Sequence, residues 1–374
     1  MDPTSKYTNL DTNQYFYVTL VIIIFILIIM LSWVFNRLGL KDRSCNKLKT
    51  YWPNLTNNSY LISEENVKGD AIATFDGSSC TLINYYVKSA YNCCCGDGYK
   101  NNFVAMCALE KSLVNGCRFL DFEIYSYNNE PIVASSTAEN NYIKETYNSL
   151  LLEDVLIYIK ENGFNPIATN CANDPLILHF RVMSTNLEML KKMGNLIQTY
   201  LHSSTQSFSL STKKDMGLLT TKMRDLYKKL IIICDFNPQS NIIENIALEK
   251  LKKYTNLKAK GLYCNTYRYN QIASKKGSAE FIKTTKSKYV IVLPNLDNSI
   301  MNFDPAISFE TGCQAICMKH QNIDNYILGY NALFKTNRNF SWIKKSTALL
   351  NVDVPTLPDY TGLGVDYTDD TIYD

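Results

Sequence analysis

The stretch NFVAMCALEKSLVNGCRFLDFEIYS, residues 102–126, contains the alternation on which the fold prediction depends. Its first half is amphipathic and ends at Gly116, as helix C-termini commonly do. Its second half is an apolar run rich in residues that favour β-structure. The stretch therefore predicts one helix that is followed directly by one strand.

The same alternation continues along most of the chain. Further strand-like runs read TLINYYVKSA, PIVASS, PLILHFRVM, KLIIICDF, KAKGLYCN, KYVIVLPN and GCQAICMKH, and further helical patterns read LLEDVLIYIKENG, NLEMLKKMGNLIQTYL, NIIENIALEKLKKY and SAEFIKTT. Eight strands, most of them followed by a helix, predict an α/β fold with a (β/α)8 TIM-type barrel of about 280 residues, near the usual ~250. An open doubly wound sheet is the alternative, but no G-x-G-x-x-G motif follows the first strand.

A transmembrane helix is predicted at residues 15–36, after a short N-terminal segment at residues 1–14. Phe16–Phe35 carries no charge, and about 20 helical residues span roughly 30 Å of hydrocarbon. Five basic residues follow this helix, whereas Lys6 alone precedes it, so the C-terminal barrel is expected to face the cytosol. A cleaved signal peptide is the alternative, but the apolar run is too long and its N-terminal flank is not basic.

The predicted organisation after the membrane helix has five parts. These are a polar stalk at residues 37–70, a first half-barrel at 71–203, a Ser/Thr/Lys-rich linker at 204–224, a second half-barrel at 225–350 and an acidic tail at 351–374. The formal net charge of only +3 does not indicate a nucleic-acid partner. A cytosolic barrel should keep its twelve cysteines reduced, with Cys117, Cys313 and Cys317 buried. The spacing of Cys93, Cys94 and Cys95 does not indicate a zinc site.

Two blocks resemble one known family. LEKSLVNGCRFLDFE at residues 109–123, followed by EPIV at 130–133, is similar to the A-L-x-x-G-C-R-x-x-E-x-D block of the phosphoinositide-specific phospholipase C barrel. NFDP at 302–305 and GCQAI at 312–316 resemble a second block of that family. The resemblance covers the X and Y halves of the catalytic barrel, and it implies a TIM-type barrel that cleaves phosphoinositides with two histidines and a calcium ion.

The catalytic positions that the resemblance implies do not hold histidine. The family's S-S-H-N motif falls on Ser89-Ala90-Tyr91-Asn92, so that Tyr91 stands where the first histidine should be. The second histidine falls on Ser135 or its neighbour Ser136. A serine hydroxyl cannot act as an acid near pH 7, and a tyrosine with a pKa near 10 is a poor substitute. These replacements predict a pseudoenzyme.

The calcium positions are altered as well. Asn92 is kept, the E-x-D pair reads Asp121-x-Glu123, and the remaining carboxylate position falls on Arg181. A guanidinium at that position would repel a divalent cation, and two buried carboxylates without a metal need a replacement positive charge. We therefore expect Arg181 to pair with Asp121 or Glu123, and no calcium or other cofactor to be bound. The lysines and the arginine that hold the head group in the family are also missing at the matching positions.

The leading interpretation is a catalytically inactive barrel on a membrane anchor at Phe16–Phe35, which serves as a scaffold or interaction protein for an unidentified protein partner. One alternative is an active lipid phosphodiesterase with a displaced catalytic set, formed by Tyr91, Ser135 and His179. The other is a lipid-binding module without turnover. The abundance of Ile, Asn, Lys and Tyr is typical of an AT-rich genome and would fit a viral membrane or virion protein.

Overall fold

Strands and helices alternate through most of the structure, a computed structural model that describes residues 12–51, 81–138, 143–169, 171–202, 208–236, 248–297, 299–336 and 341–350. The strands are β1 Tyr85–Ala90, β2 Phe119–Tyr127, β3 Glu130–Ala134, β4 Leu150–Leu151, β5 Leu176–Val182, β6 Ser209–Leu210, β7 Lys229–Phe236, β8 Leu257–Lys258, β9 Cys264–Arg268, β10 Tyr289–Leu293, β11 Ala315–Met318 and β12 Trp342–Lys344. The helices are α1 Thr12–Leu38, α2 Leu40–Tyr51, α3 Met106–Val114, α4 Leu152–Asn162, α5 Leu187–Leu201, α6 Asp215–Leu219, α7 Glu249–Tyr254, α8 Tyr269–Ala273, α9 Ala279–Ser287, α10 Ala306–Glu310 and α11 Asn325–Thr336.

The parallel strands curl into a TIM-type barrel, which confirms the predicted fold class. Strand β1 pairs in parallel with both β2 and β11, and the pairing continues through β5, β7 and β8 on one side and through β10 and β9 on the other. Within the described ranges no pairing joins β8 to β9, so the ring has one seam there. Strands such as β7, KLIIICDF, are buried along almost their whole length because the barrel interior covers one face and helices cover the other.

Two of the predicted strand runs have a different role in the structure. PIVASS contributes to β3, which is antiparallel to β2 and is not a barrel strand. Only Asn128 and Asn129 separate β2 from β3, both with positive φ, and a two-residue turn of this kind joins antiparallel strands. KAKGLYCN instead spans the end of β8 and the start of β9. With the short strand β6 also parallel to β7, the described sheet holds nine parallel strands, and they are not the eight that the sequence predicted.

The predicted helices are present as α3, α4, α5 and α9. Of the pattern NIIENIALEKLKKY, the structure describes residues 248–254, which include α7. The predicted linker at 204–224 contains β6 and α6 within its described part. Residues 52–70 of the predicted stalk and the acidic tail at 351–374 lie outside the described residues.

The N-terminal helix α1 contains the predicted membrane span. Residues Gln14–Leu38 form a helix that is long and apolar enough to cross a membrane, judged by length and composition, and none of its most apolar window is buried against the rest of the protein. Its bounds agree with the predicted span at 15–36 to within a few residues.

The beginning of the predicted stalk differs from the expected irregular linker. Residues Leu40–Tyr51 form α2, which packs against α3 with Leu48 only 2% exposed. This packing brings the Cα atoms of Cys45 and Cys107 to 5.8 Å, and the two residues form a disulfide. The expectation that every cysteine is a free thiol is therefore wrong for this pair. Nine other cysteines of the described chain are free and buried, among them Cys117, Cys313 and Cys317 as predicted.

Candidate functional site

The positions that the family resemblance assigns to calcium meet inside the barrel because neighbouring strands place them in register. Asp121 of β2 lies opposite His179 of β5, and Glu123 lies opposite Arg181. Side chains two residues apart on a strand point to the same face, so these four share one side of the sheet. Asn92 joins them from the loop that follows β1. All of these side chains are at most 2% exposed.

Arg181 is the centre of this cluster. Its Nε lies 2.9 Å from Oδ1 of Asp121 and its Nη2 lies 2.8 Å from Oδ2, so the two side chains form a two-point ion pair. Its Nη1 donates to Oε1 of Glu123 at 2.8 Å, and Nη2 also donates to Oδ1 of Asn92 at 2.9 Å. The ion pair that the sequence predicts is present, with both carboxylates rather than one. A planar guanidinium suits this arrangement because its donors form a rigid fork.

Asn92 closes the cluster through its side chain and its backbone. Its Nδ2 donates to Oε1 of Glu123 at 2.9 Å, and its backbone N–H donates to Oδ2 of Asp121 at 3.0 Å. The residue has a φ of 41°, a left-handed conformation in which asparagine is enriched. That conformation directs both groups toward the two carboxylates.

The remaining carboxylate oxygen is also bound. Oε2 of Glu123 accepts hydrogen bonds from the Tyr125 hydroxyl at 2.7 Å and from the backbone N–H of Ser136 at 2.9 Å. Tyr125 is not among the predicted site residues, although the two-residue period of β2 places it on the face of Glu123. All four oxygens of Asp121 and Glu123 therefore have protein donors.

This donor set does not fit the calcium ion that the family resemblance implies. Calcium takes six to eight oxygen ligands, and here a guanidinium occupies the space between the two carboxylates. In the described part of the chain, no group of three or more His, Cys, Asp or Glu side chains could hold a metal.

The charge of Arg181 stabilises the ionised form of Asp121. Burial alone would raise the pKa of this carboxyl group, but the charge of Arg181 and hydrogen bonds from His179 and Arg181 outweigh burial and hold the pKa well below its usual value. His179 contributes through Nδ1, which lies 2.8 Å from Oδ1 of Asp121. The buried imidazole therefore forms part of the barrel core.

Tyr91 covers the outer side of Arg181. The Arg181 guanidinium carbon lies 4.8 Å from the centre of the Tyr91 ring, within the range of a cation–π contact. The Tyr91 hydroxyl accepts a hydrogen bond from Nη1 of Arg268 at 3.4 Å. Burial raises the pKa of Tyr91, so its hydroxyl stays protonated near neutral pH. Tyr91 thus packs against the charge cluster.

Ser135 lies outside this cluster. Its hydroxyl donates to the backbone carbonyl of Tyr99 at 3.0 Å and accepts from the Cys95 thiol at 3.2 Å. Among the described residues, no hydrogen bond joins Ser135 to Tyr91 or to His179. The structure therefore does not bring the displaced catalytic set together.

Arg268 is a second residue that sequence analysis missed. It ends β9, and its Nη1 donates to the carbonyl of Pro294 at 2.7 Å. The position of the family's head-group arginine falls on Ile291 of β10, whereas Arg268 of the neighbouring strand β9 places a guanidinium at the carbonyl of Pro294, just after β10. The role of Arg268 could have been predicted from the sequence only if KAKGLYCN had been divided between two strands.

Comparison with solved structures defines the class of fold. PLC21 of L. pealei matches with a TM-score of 0.56 and 16% identity over 72% of this chain and 38% of its own. PLC21 of S. officinalis matches with a TM-score of 0.57 and 17% identity over 79% of this chain and 41% of its own. The chain thus spans about two fifths of the length of these proteins. No family model and no curated protein matches it.

The fold is therefore that of a phospholipase C-like catalytic barrel. At these identities the likeness establishes the fold alone.

Proposed function

We propose that this chain is a membrane-anchored, catalytically inactive phospholipase C-like barrel that acts as a scaffold or interaction protein. The observation that carries the proposal is the position of Arg181, whose guanidinium binds Asp121, Glu123 and Asn92 where a calcium ion would otherwise contact them. A barrel of this kind retains the fold but has exchanged its metal for an internal cation.

The acid–base groups support the same proposal. Phosphodiester cleavage through a cyclic intermediate needs groups that gain and lose protons near pH 7, and each contributes about 10²–10⁴-fold to the rate. Tyr91 has a raised pKa and packs on Arg181, while Ser135 bonds to Tyr99 and Cys95. Neither side chain can take the role of the missing imidazole.

An assay of turnover tests the proposal directly. The full chain in detergent is incubated with phosphatidylinositol vesicles and calcium, beside an active phospholipase C as positive control. We expect no release of inositol phosphate above background. Release of inositol phosphate, with or without calcium, that Tyr91→Phe or Ser135→Ala abolishes would overturn the proposal and support the displaced catalytic set.

A second candidate function is binding of an anionic lipid head group without turnover. Arg268 and Lys319 favour it, because both lie at the carboxyl ends of the barrel strands. Arg268 contacts the Tyr91 hydroxyl, and the Lys319 ammonium lies over the ring of Tyr99, which packs against Tyr91. Lys319 is already 3.7 Å from Asp297, which lowers its value as a free cation. Saturable binding of phosphatidylinositol phosphate vesicles, lost in Arg268→Gln but unchanged in the exposed control Lys258→Gln, would support this function over the scaffold.

We propose that α1 anchors the protein in a membrane as a single-pass span. Two features indicate opposite orientations of the barrel. The basic residues after α1 favour the cytosol, whereas the Cys45–Cys107 disulfide favours an oxidising compartment. A virion membrane, a viral origin and the unidentified protein partner stay predictions.

A further inference from the structure

The disulfide joins α2, the helix after the membrane span, to α3, the helix after the loop that forms the candidate site. This loop, residues 91–105, is called the site loop here. It begins with Tyr91 and Asn92, and it ends two residues before Cys107. Cys45 lies on α2, which follows the membrane-spanning helix after Gly39. One covalent bond therefore connects the helix next to the anchor with the helix next to the site loop.

Helix α2 lies directly on the site loop. Leu48 is 2% exposed and covers a small cavity whose walls include Tyr91, Cys93, Cys95 and His320. A Cβ atom at Gly96 would lie 2.9 Å from Cβ of Ser44, so the helix and the loop backbone are in close contact at this point. Cys93 and Cys95, which line this cavity, are at most 3% exposed.

The site loop transmits the position of α2 to the charge cluster. The backbone N–H of Cys93 donates to the backbone carbonyl of Asp121 at 3.0 Å. The preceding residue, Asn92, bonds the carboxylates of both Asp121 and Glu123. Cys95 bonds to Ser135 and pairs with Val104, so that the loop folds back on itself. A displacement of the loop would therefore disturb the environment of Arg181.

Helix α2 also has non-covalent contacts with the rest of the protein. Its ion pair, Lys47 with Asp97 at 3.6 Å, is partly exposed, and pairs of this kind contribute little. A single helix of twelve residues is marginally stable on its own in water. The contacts around Leu48 are a non-covalent attachment of α2, and the disulfide keeps α2 close enough to make them.

We propose that the Cys45–Cys107 disulfide is a redox-sensitive clamp that holds α2 on the site loop, and that its reduction releases α2 and exposes Cys93 and Cys95. A dithiol reductant supplies two electrons and two protons. The bond between the two Sγ atoms breaks, Cys45 and Cys107 become thiols, and the reductant becomes a cyclic disulfide. This inference concerns the anchor and the site loop, and it holds whether or not the barrel has catalytic activity.

Thiol labelling of the native full chain in detergent tests the clamp. The oxidised protein is compared with the double variant Cys45→Ser/Cys107→Ser, and N-ethylmaleimide incorporation into the Cys93–Cys95 peptide is measured by mass spectrometry. Burial raises the pKa of Cys93 and Cys95, so both should react slowly while α2 covers them. We expect labelling of this peptide to become at least about tenfold faster in the double variant.

Cys313 and Cys317 serve as internal controls because both are fully buried elsewhere in the barrel. They should stay protected in the double variant. Cys171→Ser, which leaves the disulfide intact, controls for the loss of a cysteine and should label like the wild type. Unchanged labelling of the Cys93–Cys95 peptide would overturn the clamp. Equal exposure of Cys313 and Cys317 would also overturn it, because the disulfide would then stabilise the whole barrel.

Discussion

Arg181 and Asp121 form a buried two-point ion pair, with Nε–Oδ1 and Nη2–Oδ2 distances of 2.9 and 2.8 Å. Breaking such a pair by removal of one partner leaves an uncompensated buried charge, which is far more costly than the loss of a surface pair. The first two predictions depend on this relationship.

Replacement of Arg181 should destabilise the barrel strongly. Arg181→Met leaves Asp121 and Glu123 buried without a counter-charge, and we expect the free energy of unfolding to fall by about 3–5 kcal/mol. Chemical denaturation in calcium-free buffer measures the change. Arg224→Met is the matched control, since its side chain is 53% exposed, and it should change stability by less than about 0.5 kcal/mol. A similar small effect of Arg181→Met would mean that the pair is not the main stabiliser of the site.

The same variant should change how the free energy of unfolding depends on pH. In the wild type the pKa of Asp121 lies below its ordinary value of 3.8, so the stability that this carboxylate contributes is present above about pH 4 and is lost as the pH falls further. In Arg181→Met the charge that holds down the pKa of Asp121 is gone, so burial should raise this pKa and stability should increase as the pH falls from 7 to about 5. Denaturation curves across this range distinguish the two slopes. Parallel curves would contradict the assignment.

Lys345 should make the stability of the protein depend on pH above about pH 7. Burial lowers the pKa of this lysine to about 7 from an ordinary 10.5, and its ammonium has the Thr285 carbonyl at 3.3 Å as acceptor. Between these two pH values the unfolded chain binds more protons, so stability rises with pH. Lys345→Met should therefore be more stable than wild type by roughly 2–4 kcal/mol near pH 6, with the difference vanishing toward pH 10. The exposed neighbour Lys344 is the control: Lys344→Met should show no such trend.

The thiol count under denaturing conditions should depend on reduction. Nine described cysteines are free and two form the disulfide, so reductant should add two thiols per chain. Ellman titration of the denatured protein, before and after reduction, measures the difference. Cys45→Ser/Cys107→Ser should show no increase. An equal count in the wild type would mean that the disulfide does not form.

Glycosylation reports the orientation of the anchor. The sequons Asn54-Leu55-Thr56 and Asn57-Asn58-Ser59 follow α2, and a third begins at Asn339. With the barrel in the cytosol, as the flanking basic residues indicate, all three stay unmodified in eukaryotic cells. A mass loss on glycosidase treatment that is missing in Asn54→Gln/Asn57→Gln/Asn339→Gln would place the barrel in the compartment that the disulfide favours.

The amino-acid sequence by itself determined the class of the fold and the composition of the charge cluster. Apolar runs with strand and helix periods are local signals, so the barrel and the apolar span within α1 could be predicted from them. The pairing of Arg181 with Asp121 and Glu123 was also predictable, because two acids in a buried site require a positive charge and the family resemblance placed all three together.

Only the tertiary structure decided which strands form the barrel, where α2 packs and which cysteines pair. The turn at Asn128 and Asn129 removes β3 from the ring, and Arg268 reaches Pro294 from a strand that the sequence did not separate. Cys45 and Cys107 are 62 residues apart in the chain. Contacts between such distant segments depend on the summed packing of the elements between them, and no local pattern of residues records that sum.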